Sequence, residues 1–541
     1  MHIDLARSSR PLFIAVGLTL LVSLPMWFVT YPPLYDYPFH LARLLVLHDI
    51  FSGGPLSKYY EINSLIIPNI AMDIIGIGLQ NFLDVQNAGR AFLIITVFLT
   101  ISGAGFLSQT LFGRSGFAPA FAAGLAFNWT FSSGFVNYLF ALSLLPWGIG
   151  IFIRMRHSSA GARLAFGMLA CFALFFSHLV VFALYVLVIA SLEMQWGMPQ
   201  LRTQPKAVIG RSIISGIPVL AVFALFVSQS PTAHAADAPI TYDGFRSILG
   251  FIRYKTLWPV RALSSGSELA DWGSAVGVAA FALLVARLGS VKIDRELLIA
   301  ILLIGVVFWA APGHLLSAQF VDMRMPLAAY LLLAGSTEIG VKGNRALFAT
   351  AAVLLALLAF RSTAIARDWS AVEPVEQQIT AALRCLAPRS ILFAAETDPS
   401  LVPSSSPPLG HIVSVAEITS GAFVPATWAH PAQQPITVKR AYADIYAFQT
   451  PQSRMIVDAQ GLQTFATEVQ KLMADRQTTG QDYFSGNVYL LYMFPERLGH
   501  PRIEGAKVLA EQGLFTLFRL PFGTSEGQDA VAGGTSECTA N

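Results

Sequence analysis

The sequence predicts a mainly α-helical, polytopic membrane protein of about eleven spans with a small α/β domain at its C-terminal end. Two features carry that prediction. Of 541 residues, 54% are hydrophobic and only 12% are Asp, Glu, Lys or Arg, against about 25% charged in an ordinary soluble domain. The apolar residues also gather into runs of the length that crosses a bilayer, about 20 residues of helix. Beyond about residue 361 the runs stop, and Gln, Thr, Ser, Pro and Glu rise. This composition excludes a soluble globular enzyme, a disordered chain and a basic nucleic-acid binder. A net charge of +3 over this length steers no partner. Three cysteines build neither a disulfide scaffold nor a cysteine-rich metal site.

The first apolar run, 11–30, follows Arg7 and Arg10 and ends at Tyr31-Pro32-Pro33. It is longer than a signal-peptide core and no small-x-small site follows it, so it reads as a retained helix with a cytoplasmic N-terminus. Further runs lie at 90–110, 116–134, 138–153, 164–193, 210–228, 273–288, 297–311, 325–340 and 345–361. The run at 164–193 decides the topology. At 1.5 Å per residue its length is large for one span and small for two. Arg154, Arg156 and Arg163 precede it, and Arg202, Lys206 and Arg211 follow it. Both flanks look cytoplasmic by the positive-inside rule. The run therefore enters and returns, turning at its polar pair Ser177-His178. The chain after about Arg361 then lands in the periplasm.

The expected organisation is a transmembrane domain, 1–361, with long periplasmic loops at 31–90 and 229–272. A periplasmic α/β domain follows at 362–523 and a tail at 524–541. Helical periodicity marks 373–386 and 459–476. Strand patterns mark Ser390–Ala395, Asn487–Tyr492 and Leu514–Leu520. Cys385 and Cys538 would share the oxidising compartment and can pair there.

Chemistry concentrates in the first loop, at Tyr35-Asp36-Tyr37-Pro38-Phe39-His40-Leu41-Ala42-Arg43. Pro38 suits a first helical position, and Asp36 or Tyr37 suits the cap. A helix from there puts His40 and Arg43 on one face, with Asp36 at its mouth. Two readings follow. In one, the carboxylate and imidazole activate a hydroxyl while the guanidinium holds a phosphate. In the other, the segment is a capped interfacial helix with a snorkelling Arg43. A second helix from Pro68 carries Asn69, Asp73, Gln80 and Asp84 as a polar stripe opposite Ile70, Ile74 and Ile77. Asp73 is either solvated or a second acid of the site. His178 is an ionisable group inside an apolar run, a functional candidate by default. Arg246, Arg253, Lys255 and Arg261 interleave with Tyr254 and Trp258 as a cationic stretch suited to a phosphate or to a solvated loop. Asp322 and Arg324 stand as a local ion pair or place Arg324 against a lipid phosphate. No nucleotide-binding loop, dinucleotide fingerprint, zinc motif or CxxC pair is present.

An acid soon after the first span, two helices in the loop after it and about eleven spans before a periplasmic domain together resemble the GT-C superfamily of membrane glycosyltransferases. The string Asp36-x-Pro38-x-His40-x-x-Arg43 looks like the D-x-P-x-H signature of bacterial multi-pass proteins related to that superfamily. Pro68-Asn69-Ile70-Ala71-Met72-Asp73, Gly134-Phe135-Val136-Asn137-Tyr138, Ser177-His178-Leu179 and Asp322-Met323-Arg324-Met325-Pro326 also resemble that group. The paired first-loop acids of several GT-C enzymes are absent; Asp36 stands alone between tyrosines. The resemblance implies transfer of a sugar from a polyprenyl-phosphate lipid to an envelope glycan, lipid or protein at the far membrane face, with no nucleic-acid partner. It implies Asp36 and His40 as catalytic residues, and a first-loop acid that acts as base or holds a divalent metal. Arg43, Asp73, His178, Arg253, Lys255 and Arg324 would serve the substrate and its phosphate, a task suited to fixed cations. Two other classes remain open on these residues: a transporter or flippase of a lipid-linked saccharide, and a non-catalytic scaffold of an envelope assembly.

Overall fold

The computed structural model describes residues 5–234, 247–315, 318–398, 400, 409, 411–449, 453–478, 484 and 487–521. The first half runs α1 (Leu5–Val22), α2 (Tyr37–Ser52), β1 (Tyr60–Ile62), α3 (Ala71–Gln80), α4 (Val85–Phe112), α5 (Ala118–Gly124), α6 (Trp129–Ser132), α7 (Val136–Arg154), α8 (Ala160–Ser177), α9 (Leu179–Gly197) and α10 (Pro205–Gln229). Then come α11 (Ile248–Arg261), α12 (Glu268–Leu288), β2 (Gly289–Ile293), α13 (Arg295–Ala310), α14 (Met325–Gly335), β3 (Thr337–Val341) and α15 (Asn344–Arg384). The C-terminal part holds β4 (Ile391–Thr397), α16 (Val415–Ser420), β5 (Ile436–Val438), α17 (Ala443–Gln449), β6 (Arg454–Ile456), α18 (Ala459–Thr478), β7 (Val488–Met493), β8 (Lys507–Gln512) and β9 (Phe515–Arg519). Among the described residues seven helices, α4, α7, α8, α9, α10, α12 and α15, are long and apolar enough to cross a membrane.

Contacts divide the chain into two compact units. One comprises residues 1–28, 65–75 and 90–368; the other comprises 29–64, 76–89 and 369–541. In the first unit, α10 packs on α8, α9 on α13, and α7 on both α8 and α9. Close approach needs small residues: a Cβ on Gly167 would lie 2.8 Å from Pro218, the substitution of backbone proximity for bulk that is common between membrane helices. The long run at 164–193 is two helices. His178 sits extended between them, ending α8 and starting α9. The run at 116–134 is not one span. Asn128 adopts an extended conformation and its side chain caps α6 through Phe131 N at 3.1 Å, which divides α5 from α6. Between apolar helices, Gly289–Ile293 and Thr337–Val341 pair as the antiparallel ladder β2–β3.

The second unit joins first-loop segments to the C-terminal part. A five-stranded sheet has the order β6-β4-β7-β9-β8, with β4 parallel to both neighbours and the remaining pairs antiparallel. β4 and β7 are buried along their whole length, as suits strands covered on both faces. β1 pairs antiparallel with β5, Tyr60 opposite Val438 and Ile62 opposite Ile436. Val46 and Leu47 of α2 lie in one core with Tyr59, Phe393, Phe423 and Phe484. The interfacial reading of α2 is therefore replaced: its apolar face packs on the unit's own core, where each large side chain fully buried contributes about 1.5–3 kcal/mol. Gly53 ends the helix at φ +75, a left-handed position that favours glycine. The expected polar stripe is also divided. Asn69 precedes α3 at φ +68, α3 stops at Gln80, and Asp84 accepts from Asn87 N at 2.8 Å as the cap of α4. Cys171 is buried and free; Cys538, the expected partner of Cys385, lies outside the described residues.

Candidate functional site

Asp36 takes the N-cap position of α2, but its side chain makes no cap bond. Its backbone is already helical there, φ −89 and ψ −4, whereas a capping side chain normally needs an extended residue to reach the N–H groups of the first turn. The carboxylate turns instead to His411, Oδ1 to Nε2 at 3.4 Å, and its side chain keeps 23% exposure. The His411 ring lies 3.9 Å from the Phe39 ring and 4.6 Å from that of Tyr35, which meets it edge-on. Burial pushes the His411 imidazole down to about 3. The ring is thus neutral at physiological pH, and the contact is the close approach of a neutral imidazole to a carboxylate rather than an ion pair.

One turn further, Arg43 Nη2 approaches His40 Nδ1 at 2.9 Å and its Nη1 donates to Gln434 Oε1 at 2.6 Å. Arg43 is buried, so it does not snorkel. A guanidinium only donates; His40 Nδ1 must accept, which places the ring proton on Nε2. Glu396 stands one residue before the end of β4, and burial pushes its carboxyl up to about 7. The Tyr35 phenol is raised to about 12 by burial and by the charges of Glu396 and Asp36, so it stays protonated. A partly open carboxylate oriented by a neutral imidazole can take a proton from a hydroxyl, and the Arg43–His40 pair can offer N–H groups to an anion.

Sequence reasoning missed His411 and Glu396. His411 follows a Ser/Pro-rich stretch with no local pattern to single it out. Glu396 did carry a signal: an acid stands near the end of an otherwise apolar strand that proves to be parallel, and ligands gather at the carboxyl ends of such strands.

The first unit gathers the other singled-out strings. Asn69 Oδ1 accepts from Leu179 N at 3.2 Å, and its carbonyl accepts from Asn137 Nδ2. Asn137 Oδ1 in turn accepts from Met72 N at 2.8 Å. The Tyr138 hydroxyl donates to the Arg324 carbonyl, and its ring meets His178 edge-on at 5.2 Å. Arg324 Nη1 lies 2.8 Å from His178 Nε2, with the guanidinium 4.2 Å from the Phe135 ring centre. Val180 N also approaches the His178 ring, at Nδ1 and 3.2 Å. Nδ1 accepts that N–H, so His178 is the side-chain cap of α9. His178, Arg324, Tyr138 and Asp73 are all buried, which corrects the solvated reading of Asp73.

Lys255 is corrected as well. The cationic stretch is the helix α11, not a loop, and the Lys255 ammonium is only 1% exposed. It donates to Asp322 Oδ2 at 2.7 Å, Phe308 O at 2.8 Å and Ala311 O at 2.9 Å. Three hydrogens meet three acceptors, so none is left for a phosphate. The ion pair expected between Asp322 and Arg324 is thus made by Asp322 and Lys255. Arg253 is exposed on the same helix, and Arg246 lies outside the described residues. Among the described residues no group of three His, Cys, Asp or Glu side chains is arranged to hold a metal ion.

These features define a polytopic, mainly helical membrane protein. The particular likeness is to ArnT from Cupriavidus metallidurans. Its apo crystal structure matches with a TM-score of 0.50 at 12% identity, over 95% of this chain and 98% of that one. The structure of the same enzyme bound to undecaprenyl phosphate gives 0.48 at 12% identity over the same shares. At this identity the likeness concerns the fold. No protein-family pattern and no curated protein matches the sequence.

Proposed function

We propose that this protein is an integral membrane glycosyltransferase. It moves a sugar from a polyprenyl-phosphate carrier to an envelope glycan, lipid or protein at the periplasmic face of the inner membrane. The observation that carries this reading is Asp36, a carboxylate in cap position that caps nothing, faces His411 and stays partly open. The shared fold with apo ArnT and the first-loop signature support it. Asp36 takes the proton of the acceptor hydroxyl as that oxygen bonds to the anomeric carbon. The bond from that carbon to the carrier phosphate breaks, and the phosphate leaves with the electron pair. His40, its proton fixed on Nε2 by Arg43, donates to the departing phosphate; Arg43 is a positioning residue.

The test is rescue of the envelope-glycan profile of a deletion strain at matched protein levels. Wild type should restore the profile and Asp36→Asn should not. Full rescue by Asp36→Asn would remove Asp36 as base and overturn the reading. Orientation is tested with alkaline phosphatase fusions: one after Arg367 should be active and one near Gln200 inactive, and the reverse would place the C-terminal part in the cytoplasm.

A further inference from the structure

The end of α7, the start of α8, the end of α9 and the start of α10 bring together Arg154, Arg156, Arg163 and Arg211. The sequence presents them as loop charges that orient the spans; the structure leaves Arg154 exposed but half-buries Arg156 and largely buries Arg163 and Arg211. Glu193 of α9 accepts from Arg163 Nη2 at 2.6 Å and from Arg211 Nε at 2.7 Å, and these side chains are 8%, 9% and 15% exposed respectively. One largely buried carboxylate therefore faces two largely buried guanidiniums. Arg156 adds a third cation, 4.4 Å from the ring centre of Trp196, with Arg211 at 5.9 Å from the same ring. The Trp196 N–H is held by Glu296 at 2.6 Å, and Arg154 lies against Phe106 and Thr110. Four cations thus stand near one acid, Glu193, which pairs with two of them.

The excess shows in individual atoms. Arg211 Nη2 and Arg156 Nε are buried with no hydrogen-bond partner among the described residues. A buried donor left unsatisfied is destabilising, and more so when it is charged. What this place lacks is an anionic acceptor with several oxygens. Its position names the source. The arginines and Trp196 stand where apolar helices of 18–25 residues end, the level of lipid headgroups, where tryptophan is enriched. Guanidinium edges match phosphate oxygens in pairs.

We propose that Arg156 and Arg211, beside Trp196, bind the phosphate of an anionic membrane-lipid headgroup. The site is independent of the chemistry assigned to Asp36. Purified full-length protein in detergent is titrated with phosphatidylglycerol, phosphatidylcholine or inorganic phosphate and followed by native mass spectrometry and thermal unfolding. Phosphatidylglycerol should bind tightest and raise the unfolding temperature. Arg156→Gln should weaken it about fivefold, the effect of removing one basic group near an anionic surface, and Arg211→Gln at least as much. Arg211→Gln also unbalances Glu193 and can unfold the protein, so Arg156→Gln, which breaks no ion pair, carries the test. Arg114→Gln, which removes an exposed arginine paired elsewhere with Glu338, should bind as wild type does. Equal binding of phosphatidylcholine, wild-type binding by Arg156→Gln, or an equal loss in Arg114→Gln would overturn the proposal. Stabilisation by inorganic phosphate equal to that by phosphatidylglycerol would overturn the lipid as its ligand.

Discussion

Arg43 meets His40 at 2.9 Å in one unit, and Arg324 meets His178 at 2.8 Å in the other. The two contacts pair the same side chains, and their surroundings separate them. Arg324 is closed in by Phe135, by the hydroxyl of Tyr138 on its own carbonyl, and by a histidine wedged between two helix ends. Its neighbour Asp322 is fixed by an ammonium with no hydrogen to spare. That set locks helix ends together. Arg43 is equally buried, but its histidine is only half-buried and stands one turn from a carboxylate that keeps some exposure. A guanidinium–imidazole pair does not by itself announce chemistry; what separates the two settings is the exposure of the acid beside one of them.

The largest effect should come from Asp36→Asn. It removes the proton acceptor and disturbs no cap, so membrane insertion and the unfolding temperature should hold while transfer falls by about 10²–10⁴-fold. Sugar transfer in isolated membranes at equal protein content measures it. Arg324→Met probes the other side of the comparison. Loss of one partner from a buried charged network typically costs about 3–5 kcal/mol, so this variant should show a lowered unfolding temperature and poor recovery from membranes. A normally stable Arg324→Met that loses only transfer would break the comparison, because the closed set would then be chemical.

Glu396 gives a smaller effect with a defined pH dependence. Its carboxyl is raised to about 7 by burial. Below the ordinary carboxylate range both folded and unfolded chains hold the proton, and the group is neutral in its effect. As pH rises from there to about 7 the unfolded chain releases the proton while the folded one retains it, so stability falls; above that the penalty is constant. Glu396→Gln should therefore unfold at a higher temperature than wild type at pH 8, by a margin on the order of 3 kcal/mol, and come close to it near pH 4.5. An equal margin at both pH values would mean that the carboxyl does not titrate there. The smallest effect belongs to Arg43→Lys. It keeps the charge and loses the fork that reaches His40 and Gln434 together, so transfer should fall about tenfold, in line with one charge-assisted hydrogen bond. A fall as deep as that of Asp36→Asn would show Arg43 touching the phosphate itself.

The local part of this arrangement was legible in the sequence. Helical spacing placed His40 and Arg43 on one face after Asp36, a polar pair marked the break at His178, and three apolar runs foretold β4, β7 and β9. The distant part was not. β1 and β5 are three residues each, too short for a pattern, yet they join the first loop to the C-terminal part. His411 reaches Asp36 from far along the chain. Lys255 read as a loop cation because nothing nearby in sequence disclosed the carbonyls of Phe308 and Ala311. Asn128 divided an apolar run because its cap competed with hydrophobic length, and length alone had been counted.

The β1–β5 pairing also sets a timetable for synthesis. Tyr60 and Val438 are about 380 residues apart. A ribosome adding about 5–20 residues per second needs roughly 20–80 s to bridge that gap. Throughout the wait Val46 and Leu47 of α2 lack the strands they will rest on, which makes them a surface for any holding chaperone. The imidazole that orients Asp36 is made in the same late stretch. A transcript cut short before residue 411 thus yields a protein that can thread its early helices yet never assembles the Asp36–His411 contact, so the acid acquires its orienting partner only once the chain is nearly finished.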